Sequence, residues 1–314
     1  MVIQQNEMEV AALSDKYASG AAWMNGEVIP IGEASIPVND WGLIHSDITY
    51  DVVPVWNGGF FRIQDYLDRF FESMKALRLD PKMTRGKIQE VLTEMVSISG
   101  FRNSYVSMVC SRGLPRVSGS RDPRDCANYF YSWCVPYIHV IKPDIEVIGA
   151  SALIAESVKR IPDNSINPIV KNYHWGDFTV GLFEAKDSSY ETVILTDQDG
   201  NITEGPGFNI FAIRNGTLIT PKSGVLSGIS RKTVLEIAEG LGIRTEIRNI
   251  KKTELLRTDE VFISTSGGGV IPIAKVNEQI FSDGQCGAVT LEIRKTYWTW
   301  MNSPAYRTEI FYKN

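Results

Sequence analysis

Two of the three Asn-Gly pairs in this chain constrain it more than any other feature. Asn25-Gly26 stands inside WMNGEVIPI (Trp23 to Ile31) and Asn57-Gly58 inside WNGGFF (Trp56 to Phe61), each between aromatic or apolar flanks. Such pairs suit the tight two-residue turn of a hairpin. Helical spacing follows: Leu67, Phe70, Phe71, Met74 and Leu77 recur behind Asp65, a candidate cap, and Ile88, Val91, Leu92 and Met95 recur behind Thr84. Strands are expected at Ser104 to Cys110 and Asn128 to Val135. Strands beside a helical pair make an α+β layout.

The remainder predicts strands near Glu146 to Ala150, Thr192 to Asp197, Asn209 to Arg214, Thr217 to Thr220 and Glu260 to Ser264. Helices are predicted at Asp177 to Lys186, Ser230 to Leu241 and Ala288 to Trp300. A length of 314 residues favours two domains. The expected division is a small N-terminal α/β domain over 1–138, a linker over 139–147 and a larger mixed α/β domain over 148–314. The polar run Gly113 to Arg124 is a loop, either a mobile lid or an ordinary surface connection.

Composition narrows the function classes. With 37 acidic against 32 basic residues and a net charge of -5, the chain has no basic excess to hold a nucleic-acid backbone. Cys110, Cys126, Cys134 and Cys286 are widely spaced, and His45, His139 and His174 form no ligand motif, so neither a disulfide framework nor a metal site is expected. MVIQQNEMEV has acid where a secretion signal needs base, and no apolar stretch reaches membrane-span length. The expectation is a soluble cytoplasmic protein.

Several residues could carry chemistry. Lys171, in PIVKNY, is either a snorkelling surface lysine or a desolvated amine able to form a Schiff base or move a proton. Glu204, in NITEGPGFN, is either a turn acid facing water or a carboxylate holding a proton on a heterocyclic nitrogen. GVLSGISR (Gly224 to Arg231) opens an amphipathic helix and STSGGG (Ser264 to Gly269) follows a strand; two such turns suit a phosphorylated ligand. Neither is a Walker loop or a dinucleotide fingerprint. Arg69 is a solvated helix charge or a clamp on the same phosphate.

Together these segments resemble the fold-type IV pyridoxal-phosphate enzymes, the D-amino-acid and branched-chain aminotransferases among them, and most of all the (R)-selective amine transaminases. The markers are HSDITYDVVPVWNGGFFR from His45, LDRF around Arg69, SYVSMVCSRGL from Ser104, VKNYHWGD around Lys171, ITEGPGFNIF around Glu204, then GVLSGISR and STSGGG. The resemblance spans about residues 40 to 270. It implies pyridoxal 5'-phosphate as cofactor, lying between the two domains. Lys171 would bind it covalently and move the proton between substrate carbon and cofactor, and Glu204 would face the pyridine nitrogen. Arg69, Ile229, Ser230 and Ser266 would hold the phosphate, with Thr265 beside them. Tyr50, Val52, Pro54, Tyr105 and Trp175 would line the substrate pocket. His45 would reach it from a neighbouring subunit, which makes a homodimer.

The chain departs from that pattern in one loop. The (R)-selective enzymes that it resembles carry an arginine in a run like RGLxxVRG. Here Arg112-Gly113-Leu114-Pro115-Arg116-Val117-Ser118-Gly119 puts Ser118 there. Arg116, Arg121 or Arg124 would take over binding of the acceptor carboxylate. Pro54 also stands where the resemblance expects serine. The implied activity is transfer of an amino group from an (R)-amine to a keto acid such as pyruvate. The rivals are a D-amino-acid or branched-chain aminotransferase, aminodeoxychorismate lyase, or a non-catalytic binding protein on the same fold.

Overall fold

The computed structural model describes residues 16–312; the reading of MVIQQNEMEV lies outside them. The chain divides into two compact units: residues up to Ile138 with Val170–Tyr173 and the residues from Met301, and His139–Ile169 with His174–Trp300.

The first unit holds an antiparallel sheet. Its strands are β1 (Ala21–Met24), β2 (Glu27–Pro30), β3 (Ile48–Trp56), β4 (Gly59–Phe61), β5 (Ser104–Ser111), β6 (Tyr129–Pro136) and, from the far end of the chain, β16 (Arg307–Glu309). The order is β16-β4-β3-β5-β6-β1-β2. These two Asn-Gly pairs form the expected hairpins, with Asn25 at φ 53° and Asn57 at φ 50°. Helices α2 (Ile63–Ala76) and α3 (Arg85–Ser99) follow β4; a short α1 (Trp41–Ile44) precedes β3. Ile63, Tyr66, Leu67, Phe70 and Met74 are buried on α2, and Ile88, Val91, Leu92 and Met95 on α3. Each such side chain contributes roughly 1.5–3 kcal/mol by leaving water.

Thr84 caps α3 as expected, its Oγ1 accepting from Lys87 N at 3.2 Å. Asp65 does not cap α2. That helix starts from Arg62, which adopts a left-handed φ of 52°, and Asp65 lies within its first turn, accepting from Arg62 Nε at 2.6 Å. There its charge still complements the helix dipole.

The second unit holds β7 (Ala150–Ile154), β8 (Thr192–Ile194), β9 (Glu204–Gly205), β10 (Phe208–Arg214), β11 (Thr217–Thr220), β12 (Thr245–Ile247), β13 (Glu260–Thr265), β14 (Gly269–Val276) and β15 (Gln279–Ile280). The path runs β12-β11-β10-β13-β14-β7-β8, with β9 on β10 and β15 on β14. The β14–β7, β7–β8 and β11–β12 pairs are parallel and the others antiparallel. Its helices are α4 (Ile145–Ile148), α5 (Gly176–Asp187), α6 (Ile229–Gly240), α7 (Lys252–Leu255) and α8 (Ala288–Met301).

Three expectations need correction. Residues 145–148 are helical, not a strand; β7 starts only after Gly149, whose added Cβ would meet Ala274 Cβ at 2.8 Å. Residues 139–147 belong to the second unit instead of standing apart as a linker. Residues 301–312 join the first unit, because β16 pairs with β4 from Arg307↔Phe61 to Glu309↔Gly59.

The loop after β5 is anchored at its root. Arg112 is buried, pairing with both oxygens of Asp47 at 2.8 and 3.0 Å and donating to the carbonyls of Leu77 and Arg78 at 2.6 and 2.9 Å. Gly113 follows at φ 77°, where an added Cβ would lie 2.0 Å from Ala127 O. Strain and collision act together there, so Gly113→Ala is expected to cost about 2–4 kcal/mol. Thermal unfolding of that variant beside Gly119→Ala, which shares the positive φ (76°) but meets nothing within 4 Å, would check this: both should lose melting temperature, and the first should lose several degrees more.

Candidate active site

Strand parity groups the candidates of the first unit. Tyr50, Val52 and Pro54 alternate along β3, opposite Val109, Ser107 and Tyr105 of β5. Those three pair in turn with Tyr131, Trp133 and Val135 of β6. Alternating side chains share a face, so these nine residues line one side of the sheet. The other side carries Asp51, fully buried, which pairs with Arg69 of α2: Nε to Oδ2 at 2.8 Å and Nη2 to Oδ1 at 2.6 Å.

Lys171 stands beside the aromatic face. Its Nζ lies 4.4 Å from the centroid of the Tyr50 ring. Its carbonyl accepts from Thr49 Oγ1 at 2.6 Å and its amide donates to Ser73 Oγ at 3.3 Å. Tyr173 stacks on Tyr50, with centroids 4.3 Å apart and planes at 15°. Lys171 therefore ends no strand; it sits in an irregular segment bridged to β3 through Thr49↔Asn172, and it is half-buried. Only two residues of β3, Val55 and Trp56, pair with β4. Pro54 stands just before them, where that edge of the strand asks for no ladder N–H.

The remaining candidates of the first unit lie differently. His45 is exposed after α1, its ring edge-on to Trp41 at 4.7 Å. Arg116 and Arg121 are exposed. Arg124 is paired with Asp122, Nε lying 2.9 Å from both carboxylate oxygens.

The second unit holds its own set of candidates. Glu204, on β9, is 5% exposed, which overturns the alternative of a turn acid facing water. Its Oε1 accepts from Arg160 Nε and Nη2 at 3.2 and 3.1 Å, and its Oε2 from Leu226 N at 2.8 Å. Register sets Glu204 beside Asn209, and Asn209 beside Ser264. Asn209 Nδ2 donates to Leu226 O at 2.9 Å. The Leu226 turn leads through Gly228 into α6, where Ile229 and Ser230 are buried. A Cβ on Gly228 would fall 2.1 Å from Asn209 Oδ1, so only glycine allows that approach. Ser230 Oγ is 3.0 Å from Tyr297 Oη. Thr265 Oγ1 donates to Gly207 O at 2.8 Å and accepts from Gly267 N at 3.2 Å, closing the turn that contains Ser266. Trp175 precedes α5, its ring edge-on to Phe178 at 5.4 Å.

These donors fit pyridoxal phosphate. A buried carboxylate already oriented by three N–H groups suits a protonated ring nitrogen. The first N–H groups of α6 lack partners within the helix and suit a phosphate. Ser264 Oγ, buried beside Asn209 and without a hydrogen-bond partner among the described residues, is a further polar group to satisfy. The Asp51 carboxylate takes two of the five donors of Arg69 and holds the guanidinium by its edge. Asp51, Arg160, Asp177, Ser107, Tyr131 and Trp133 escaped sequence reasoning. The Tyr131-x-Trp133 alternation was the available signal for the last two.

The aromatic face makes stability depend on alkaline pH. Burial pushes the phenols of Tyr105 and Tyr173 well above their ordinary value and that of Tyr131 up to about 12. The fold favours the neutral phenol, so this contribution is complete below about pH 10 and is lost as pH rises through the folded-state values. Denaturant midpoints should fall between about pH 10 and pH 12, and Tyr131→Phe should fall less steeply.

Comparison with known proteins agrees with this geometry. The model of the family described as amino-transferase class IV matches residues 49–276. A putative branched-chain-amino-acid aminotransferase of Methanocaldococcus jannaschii is 26% identical over 280 residues, covering 88% of this chain and 94% of that protein. A D-alanine aminotransferase of Bacillus licheniformis is 25% identical, covering 86% and 93%. A solved branched-chain amino acid aminotransferase of T.th, crystallised with pyridoxamine 5'-phosphate, superposes with a TM-score of 0.86 at 23% identity, over 93% of this chain and 99% of that one. Hairpin sheet, buried glutamate and glycine-bounded helix start thus occur in a chain that belongs to the amino-transferase class IV family.

Proposed function

We propose that this aminotransferase is (R)-selective for amines, moving the amino group of an (R)-amine to a keto acid such as pyruvate. The observation that carries the reading is the setting of Lys171: its amine lies over the Tyr50 ring, in a cluster of Ile48, Val52, Val109, Tyr105, Tyr131 and Tyr173. Such walls suit the uncharged substituents of an amine. The guanidinium paired with this strand, that of Arg69, is engaged by Asp51 and would give its remaining donors to the cofactor phosphate, so it is no carboxylate clamp for an amino-acid donor. A D-amino-acid or branched-chain aminotransferase is the second reading, favoured by the names of the relatives.

Pyridoxal phosphate is the cofactor of this family, and when bound it supplies an electron-withdrawing ring that stabilises negative charge at the reacting carbon. Lys171 Nζ would hold the cofactor between turnovers, take the proton from substrate Cα and return it at cofactor C4'. Glu204 would keep a proton on the ring nitrogen. Arg69, the start of α6 at Ile229 and Ser230, and the Thr265–Ser266 turn would orient the phosphate, which fixes the face that Lys171 serves. Tyr50, Val52, Pro54, Tyr105 and Trp175 would shape the donor pocket. Arg116 or Arg121 would receive the acceptor carboxylate more readily than Arg124, which would first have to leave Asp122. A homodimer is part of the proposal: Val38, Leu43 and Ile44 are exposed beside His45, in the segment assigned to a neighbouring pocket.

The test is spectroscopic. Loaded with pyridoxal phosphate, the protein should show a visible cofactor band that bleaches with (R)-1-phenylethylamine and persists with the (S) form. Bleaching by D-alanine alone, or by L-leucine alone, would select the D-amino-acid or the branched-chain form of the second reading. Lys171→Ala should lower turnover by about 10²–10⁴-fold or more, as expected for loss of a general base.

A further inference from the structure

Glu204 does not stand alone with its opposite charge. Arg160 lies against it and also reaches Asp177 in the first turn of α5: Nη1 donates to Asp177 Oδ2 at 2.6 Å. Asp177 Oδ2 also accepts from Ile161 N at 3.0 Å, and Oδ1 from Phe178 N at 2.8 Å. The guanidinium lies 4.3 Å from the Phe178 ring centroid. All three charged side chains are almost wholly buried, with exposures of 8% for Arg160, 5% for Asp177 and 7% for Glu204.

A second cation lies within the electrostatic reach of the same carboxylate. Arg231, on α6, donates to Thr220 Oγ1 and Pro221 O at 3.3 and 3.0 Å. Burial pushes its guanidinium down from the ordinary value, while the charge of Glu204 opposes that. Glu204 therefore pairs with one guanidinium and feels the charge of another. On its own, a carboxylate already spent on a guanidinium is a poor partner for a further cation, the protonated ring nitrogen, since like charges at close range oppose each other strongly in a dry site. A second negative charge is needed to cancel one guanidinium, and Asp177 is placed to supply it.

We propose that Asp177 is a positioning residue for the cofactor ring: by neutralising and orienting Arg160, it leaves the charge of Glu204 available to a protonated ring nitrogen. This rests on the reading that Glu204 faces that nitrogen. Asp177 touches neither cofactor nor substrate. Its effect travels through a guanidinium whose planar fork serves Glu204 with Nε and Nη2 and Asp177 with Nη1. Asp177→Asn keeps the size and an acceptor oxygen but removes the charge.

The experiment measures the affinity of the apoprotein for pyridoxal phosphate and for its 1-deaza analogue, in which carbon replaces the ring nitrogen. The wild-type preference for pyridoxal phosphate should fall by about three- to tenfold in Asp177→Asn, a tenfold change being one pKa unit of differential interaction. Asp177→Ser, which suits a helix start, serves as a second neutral variant and should behave alike. A merely structural role would weaken both ligands equally and leave the ratio unchanged, which would overturn the proposal. Glu204→Gln separates the underlying reading: it should abolish the preference. An unchanged ratio in that variant would sink the assignment of Glu204 itself, whereas a loss there with none in Asp177→Asn and Asp177→Ser would sink only the role of Asp177.

Discussion

The continuous register of β3 on β5 and of β5 on β6 is the constraint on which the first unit rests. Eight residue pairs in each ladder, from Ile48↔Ser111 to Val55↔Ser104 and from Ser104↔Pro136 to Ser111↔Tyr129, leave no room for a slip. A shift of one residue would exchange the faces. Tyr50 and Val52 would then turn into the α2 and α3 core, and Asp51 would lose Arg69 and enter the aromatic side. Breaking that ion pair would strand a buried charge, at a cost of roughly 3–5 kcal/mol. Register, core and aromatic wall are therefore one decision made once, by pairing.

The second unit solves a different problem. Its central groups are ionic, and buried ions lose hydration that only a saturated partner set restores. Arg160 is satisfied because Glu204 and Asp177 come to it from β9 and α5, while Leu226, Ile161 and Phe178 amides take the remaining carboxylate sites. Glycine makes this packing possible where the chain turns. Gly205 lies against the Phe208 ring, and Gly228 against Asn209, at distances that no Cβ would permit. The same backbone that delivers the carboxylate thus delivers the start of α6.

Much of this was legible in the amino-acid order. Local signals survive folding: the Asn-Gly turns, the Thr84 cap and the helix predicted from Ser230 describe elements that the structure contains. Glu204 and Lys171 could be singled out as chemistry-bearing, but not their surroundings. Nothing near Lys171 in sequence announces Thr49, Ser73 or Tyr50, since those meet it only through tertiary pairing. For the same reason, residues 301–312 were read with the wrong unit: β16 pairs with β4 across most of the chain. Strand β14 escaped because Gly269 and Pro272 interrupt its apolar run, and the helix at 145–148 is too short to show a period.

The anchoring of Lys171 has a consequence for motion. Its amide and its carbonyl are both held, by hydroxyls from two different elements, Ser73 of α2 and Thr49 of β3. The backbone is a pinned shoulder, and only the flexible four-carbon arm is left to swing. Changes in where the amine points then require rotamer hops, which run on picosecond-to-nanosecond timescales, and no loop rearrangement, which is far slower. The lysine can leave and return to one place many times because the protein around its shoulder does not have to remember where that place was.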